Sequence, residues 1–183
     1  MKILLMGHPN VGKSVFFNRL TGANVIESNY SGTTVDYTRG YMSLDGKEVE
    51  VVDVPGTFSL DPKDRAEEVA VAMLKEAKDA YVICVIDSSK LERGLYLALQ
   101  IMEEGYSVII ALNMDDVAED KNIKIDSQKL EQILGVPVVS TIAIENIGIS
   151  KVISRLKDAK PVDVEDITVM RAGMNHRGKC GCT

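Results

Sequence analysis

The sequence predicts an α/β domain: a mostly parallel β-sheet with helices on both faces and an antiparallel hairpin at one edge. Three observations carry that prediction. Continuous apolar runs such as "KILLM", "AYVICVID" and "SVIIALNM" suit strands buried on both faces, longer amphipathic stretches alternate with them, and glycines mark the junctions. The 183 residues suit one domain with one core, and a content of 45% hydrophobic and 26% charged residues excludes a disordered chain.

"KILLM", ended by Gly7, reads as the first strand, and "KSVFFNRLTG", closed by Gly22, as the first helix. Ala23 to Thr34, rich in Asn, Ser and Gly, reads as irregular. "YTRGYMSL" and "KEVEVVDV" flank Asp45-Gly46, a dipeptide suited to a tight turn, and so form the antiparallel pair. Asp64 followed three residues later by Glu67 starts the helix "RAEEVAVAMLKEAK". Strand "AYVICVID", helix "LERGLYLALQIMEE" ending at Gly105, and strand "SVIIALNM" follow. Asp126 caps "SQKLEQIL", Gly135 stops it, "VPVVST" is the last strand and "ISKVISRLKDA" the last helix. In such sheets ligands sit at the carboxyl ends of the strands, where every motif below falls.

A net charge of −6 offers no basic face, so nucleic acid is not expected as a partner. No apolar run approaches the roughly 20 residues that cross a bilayer, so the expectation is a cytoplasmic chain with no membrane span. Cys84 sits in a strand as a buried thiol. Cys180 and Cys182, with His176, make too few ligands for a closed zinc site, and no disulfide framework is implied.

Gly7-His8-Pro9-Asn10-Val11-Gly12-Lys13-Ser14 matches the phosphate-loop pattern, with Val15 continuing into the helix. Its glycines let successive N–H groups converge on phosphate oxygens in front of a helix N-terminus. Lys13 reaches the β and γ phosphates, and the Ser14 hydroxyl suits Mg²⁺, a hard cation that takes oxygen ligands. Asp53 and Gly56 in "DVPG" end the next core strand; the carboxylate would hold a metal-bound water and the Gly56 N–H would sense the γ-phosphate. "ALNMDD" supplies Asn113 and Asp116. The Asp116 carboxylate can accept from N1–H and the 2-amino group of guanine, donors that adenine lacks, a discrimination on the order of 10⁴-fold. Thr141-Ile142-Ala143 places the Ala143 N–H for guanine O6. These motifs describe a P-loop NTPase of the Ras-like, guanine-nucleotide-binding type: about six strands, one of them an antiparallel edge strand, and about five helices.

The runs GHPNVGKS, "SNYSGTTVD", "DVPGTFSL", "DSSKLERGLYLALQ", "ALNMDD" and "LGVPVVST" resemble the G domain of the ferrous iron transport protein B family, over about Met1 to Lys160. "LERGLYL", and Met114 where most GTPases have Lys, separate it from GTPases of ribosome assembly and tRNA modification. The resemblance implies that Thr34, beside Gly32 and Thr33 in "SGTTV", closes on Mg²⁺ and the γ-phosphate. His8 stands where the family usually has Asn, Tyr30 where it has Trp, and Ile142 where Ser is common, which implies modest base affinity. In the family a helical regulatory domain and a polytopic membrane domain follow. The expectation is therefore a G domain, residues 1–160, with a flexible tail, 161–183, whose partner is a membrane-embedded iron transport domain or protein at the inner face of the cell membrane.

Many small GTPases orient water with a Gln after Asp-x-x-Gly; here Thr57 holds that place. Charge must come from elsewhere. The Asn10 side-chain carbonyl can hold a monovalent cation beside the phosphates, and the family that this chain resembles uses an Asn there for K⁺. The expected activity is Mg²⁺-dependent, K⁺-activated hydrolysis of GTP to GDP and phosphate as the nucleotide switch of ferrous iron uptake. Ala23 to Thr34 and Gly56 to Asp64 would order with GTP. The alternative is a nucleotide-sensing interaction module with negligible hydrolysis that regulates a membrane partner.

Overall fold

The structure, a computed structural model, describes residues 1–22 and 25–162. Among the described residues seven strands form one sheet in the order β2-β3-β4-β1-β5-β6-β7. They are β1 (Lys2–Met6), β2 (Val25–Asn29), β3 (Asp36–Leu44), β4 (Lys47–Asp53), β5 (Tyr81–Asp87), β6 (Ser107–Asn113) and β7 (Val138–Ser140). The helices are α1 (Lys13–Thr21), α2 (Arg65–Glu76), α3 (Leu91–Glu103), α4 (Asp115–Asp120), α5 (Ser127–Leu134) and α6 (Ile149–Arg155). β4-β1-β5-β6-β7 run parallel, while β3 is antiparallel to both β4 and β2.

The hairpin and the caps follow local chemistry. Asp45 and Gly46 both take positive φ, 50° and 74°, as the turn between β3 and β4 requires. The Asp64 carboxylate accepts the Glu67 N–H at 2.9 Å at the start of α2, and Asp126 does the same for Lys129 N–H at 2.9 Å in α5.

Two elements depart from the sequence reading. Part of the stretch read as irregular is β2, paired with β3 from Val25 opposite Gly40 to Asn29 opposite Asp36. It is an edge strand, mostly exposed, held by backbone pairing rather than by an apolar face, so "VIESN" has no alternation to detect. A sixth helix, α4, is six residues long, too short for a 3.6-residue period to register.

Alternate strand residues feed two cores, one on each face. Leu4, Met6, Cys84, Ile86, Ile110 and Leu112 pack with α2 and α3 residues such as Leu74, Leu97 and Ile101. Ile3, Leu5, Ile83, Val85 and Ile109 pack with Phe16 and Phe17 of α1 and Val152 of α6. Burying each such side chain contributes about 2–3 kcal/mol. Burial pushes the Cys84 thiol up to about 12, which removes it as a nucleophile. No helix among the described residues is long and apolar enough to cross a membrane. The expected tail, with His176, Cys180 and Cys182, lies almost entirely outside the described residues.

Candidate functional site

The loop after β1 turns sharply into α1, and its glycines are demanded by neighbours. Gly12 takes φ 87°, and a Cβ there would strike the Asn113 carboxamide. A Cβ on Gly56 would lie 2.9 Å from Pro9. The loop leaving β4 is thus pressed onto the phosphate loop, and the Thr57 N–H donates to the Gly7 carbonyl at 3.1 Å. Val11 is buried beneath the turn, while Pro9, Asn10, Ser14 and Val15 are exposed.

Three polar side chains converge at the helix start. The Ser14 hydroxyl donates to Asp53 Oδ2 at 2.7 Å, and the Lys13 ammonium lies 3.4 Å from Asp53 Oδ1. That distance makes an ion pair and not a hydrogen bond, and Asp53 Oδ1 has no hydrogen-bond partner although it is buried. A cation, a hydroxyl and an incompletely satisfied carboxylate therefore share one spot at a helix N-terminus, a donor set that suits a phosphate with its metal ion.

The carboxyl ends of β6 and β7 supply the second half. Asn113 donates from Nδ2 to the Val11 carbonyl at 2.9 Å. Its Oδ1 accepts from the Ala143 N–H at 3.0 Å and the Thr141 hydroxyl at 3.2 Å. One carboxamide, 3% exposed, therefore laces the phosphate loop to the loop after β7. The Ala143 N–H expected for guanine O6 is engaged here by Asn113. Met114 takes φ 58° and turns the chain into α4, which brings the half-buried Asp116 to the same end of the sheet as Asn113 and Ile142. No side-chain hydrogen bond of Asp116 is formed among the described residues, so its carboxylate remains an available acceptor.

Gly32, Thr33 and Thr34 stand apart from this cluster. Thr33 Oγ1 donates to the Tyr30 carbonyl at 2.9 Å and accepts from the Val35 N–H at 3.2 Å, closing the β2–β3 connection on itself. Thr34 is exposed, and no hydrogen bond among the described residues joins it to Ser14 or Asp53.

The segment after Gly56 shows what sequence reasoning missed. Glu67, 4% exposed, accepts from Phe58 N–H at 2.9 Å and Lys63 N–H at 2.8 Å. Gln100 of α3 accepts from Leu60 N–H at 2.9 Å. The Asp64-x-x-Glu67 spacing signalled a helix start, but Glu67 spends its carboxylate on this segment. Thr57, fully buried, donates its hydroxyl to the Ser59 carbonyl at 2.7 Å and does not present it to solvent. Its neighbour Phe58 leans on His8, ring centres 4.9 Å apart, beside a cavity of about 580 Å³ reaching Arg93 and Tyr96 of α3. Burial holds the His8 imidazole below its usual pKa, so the ring is neutral near pH 7.

Residues 1–156 match the family model described as ferrous iron transport protein B. The chain belongs to this FeoB family. The Fe(2+) transporter FeoB of Legionella pneumophila strain Paris is 41% identical over 150 residues, covering 80% of this chain and 20% of that protein. The chain thus spans about a fifth of the length of the curated FeoB relatives it matches. The cytosolic domain of T. maritima FeoB in a GMPPNP form superposes with TM-score 0.81 at 36% identity, covering 86% of this chain and 63% of that one. The cytosolic domain of L. pneumophila FeoB superposes with TM-score 0.81 at 37% identity, over 89% and 72%. The T. maritima domain in a GDP form gives TM-score 0.79 at 37% identity, over 86% and 62%.

Proposed function

We propose that this chain binds guanine nucleotides and hydrolyses GTP to GDP and phosphate, as the G domain of a ferrous iron uptake system. The observation that carries the reading is the convergence of Lys13, Ser14 and Asp53 at the start of α1, with Asp116 at the neighbouring strand end. FeoB relatives solved in GMPPNP and GDP forms support the choice of nucleotide.

The phosphate-loop N–H groups and the Lys13 ammonium would take the β and γ phosphates, and Asp116 would accept from N1–H and the 2-amino group of guanine. Ser14 and Asp53 fit Mg²⁺, Asp53 through water, and Thr34 would join them when its loop closes. The bound metal would neutralise charge on the phosphates. Hydrolysis is attack of water on the γ-phosphorus with departure of the β-phosphate oxygen, and the chain's contribution is position and fixed charge. With Thr57 turned inward, the side chain that follows Gly56 would not take the water-orienting place that Gln has in many small GTPases. Asn10, at φ 64° and exposed, forms no side-chain hydrogen bond among the described residues, so its carbonyl is free to hold K⁺. The partner would be a membrane-embedded iron transport domain or protein, in cis or in trans.

The inward Thr57 also favours a second reading, a nucleotide-sensing module with negligible hydrolysis. Calorimetric titration with GTP, GDP and ATP, followed by single-turnover hydrolysis in KCl and NaCl, separates them. GTP held far tighter than ATP with turnover faster in K⁺ supports the leading reading. Equal turnover in both salts removes the role of Asn10, and no turnover in either leaves the sensing module. ATP held as tightly as GTP removes both.

A further inference from the structure

We infer that Arg19 is a positioning residue for the base-binding loop and thereby sets how fast the nucleotide leaves. The inference rests on the guanine-nucleotide reading above, and concerns a residue outside every motif. Arg19 lies in the last turn of α1, on its exposed side. Its guanidinium reaches the loop after β7 across 124 positions of sequence: Nε donates to the Ala143 carbonyl at 3.1 Å, and an Nη donates to the next carbonyl, that of Ile144.

Within that loop the Glu145 N–H donates to the Ile142 carbonyl at 3.0 Å and the Asn146 N–H to the Ala143 carbonyl at 3.1 Å, and among the described residues Arg19 supplies the side-chain hydrogen bonds to its outer side. Ile144 and Ile147 are 64% and 50% exposed, and Ile142 and Ile147 close its base with a pair of backbone hydrogen bonds of 3.1 Å each. Ala143 is therefore held from both directions. Its N–H goes inward to Asn113 at 3.0 Å, and its carbonyl goes outward to Arg19. Two successive carbonyls suit a planar fork of N–H donors, which an ammonium group cannot reproduce.

The placement couples the two ends of the ligand. α1 begins at Lys13 in the phosphate loop, and Arg19 lies six residues on, about 9 Å along the axis at 1.5 Å per residue. The helix that carries the phosphate contacts at its start grips the base loop at its end. The grip stabilises the loop's closed state: release of the purine requires the loop to move away from Asn113, and Arg19 opposes that motion. Arg19 touches neither the phosphates nor the attacking water, so the chemical step is independent of it.

The test is dissociation of a fluorescent GDP from the wild type, Arg19→Ala and Arg19→Lys, with single-turnover GTP hydrolysis at saturating nucleotide alongside. Arg19→Ala is expected to release GDP about tenfold faster, as the loss of a charged hydrogen bond implies, and Arg19→Lys to fall between it and the wild type. Single-turnover hydrolysis should not change. Release at the wild-type rate in Arg19→Ala overturns the inference. So does a fall in single-turnover hydrolysis in step with faster release, which marks general damage to the fold. A wild type that binds no guanine nucleotide fails earlier, at the function itself, and is distinguishable from both.

Discussion

The strand ends that carry Asp53 and Asn113 differ sharply from the β2–β3 connection that carries Thr34. At the first, polar groups are tied to one another across the fold: Ser14 to Asp53, Asn113 to Val11 and Ala143, and Thr57 to Gly7. At the second, an exposed threonine with no side-chain hydrogen bond among the described residues sits on a loop that Thr33 closes and that one long-range bond, from the Tyr30 hydroxyl to Glu76 of α2, ties to the rest of the fold. Pre-organised groups do not have to be ordered at the moment of reaction, whereas a segment that reports the state of a ligand has to be able to change. On the proposed function, the contrast would separate a fixed binding floor from a movable cover.

The largest test of the fixed side is Asp116→Asn. An amide in that place no longer accepts twice from guanine but can donate to the 2-oxo group of xanthine, so preference should shift from GTP toward XTP by about 10³-fold in competition binding. An unchanged preference would remove Asp116 from the base site. Next is Asn113→Ala, which strands the Val11 carbonyl and the Ala143 N–H in the interior. A loss of about 3 kcal/mol in urea unfolding is expected, against less than about 0.5 kcal/mol for Thr34→Ala. Equal losses in the two variants would abolish the distinction between floor and cover.

Smaller effects sharpen the boundary between them. The segment 58–63 is near the floor, and three of its N–H groups are held by two side chains, Glu67 and Gln100. Glu67→Gln weakens the acceptors for Phe58 and Lys63, at a cost of about 1 kcal/mol. Amide exchange at those two positions should quicken while β1 and β5 stay protected; no change would mean the segment is held otherwise. The smallest effect expected is that of His8. Burial lowers its folded-state pKa from 6.5, so the unfolded chain takes up the proton first as the medium is acidified. Its contribution to stability is therefore full above pH 6.5 and is lost as pH falls from 6.5 through the folded-state value. His8→Asn should flatten that slope in thermal melts, and an unchanged slope would assign it to other groups.

The legibility of the site in the sequence follows the same division. Gly7, Gly12, Lys13, Ser14, Asp53, Asn113 and Asp116 stand out in the sequence because close approach to a phosphate, a metal ion or a purine would demand those residue types at strand ends, where the structure places them. Glu67 was readable only as a helix start. Its long-range duty toward Phe58 and Lys63 depends on how a loop folds back, which spacing along the chain does not record. β2 was missed because an edge strand can be stabilised by pairing alone, without the alternation that a buried face imposes.

The amino-acid sequence by itself determined the order of the strands and helices other than β2 and α4, through the apolar runs and their glycine and aspartate stops, and the residue types at each strand's end. Only the tertiary structure decided that Asn113 laces two loops together, that Thr57 faces inward, and that Arg19 grips the carbonyls of Ala143 and Ile144. Local chemistry has a period and a cap that can be read along the chain. A hydrogen bond spanning 102 or 124 positions has neither, and exists only once the sheet has set its two ends side by side.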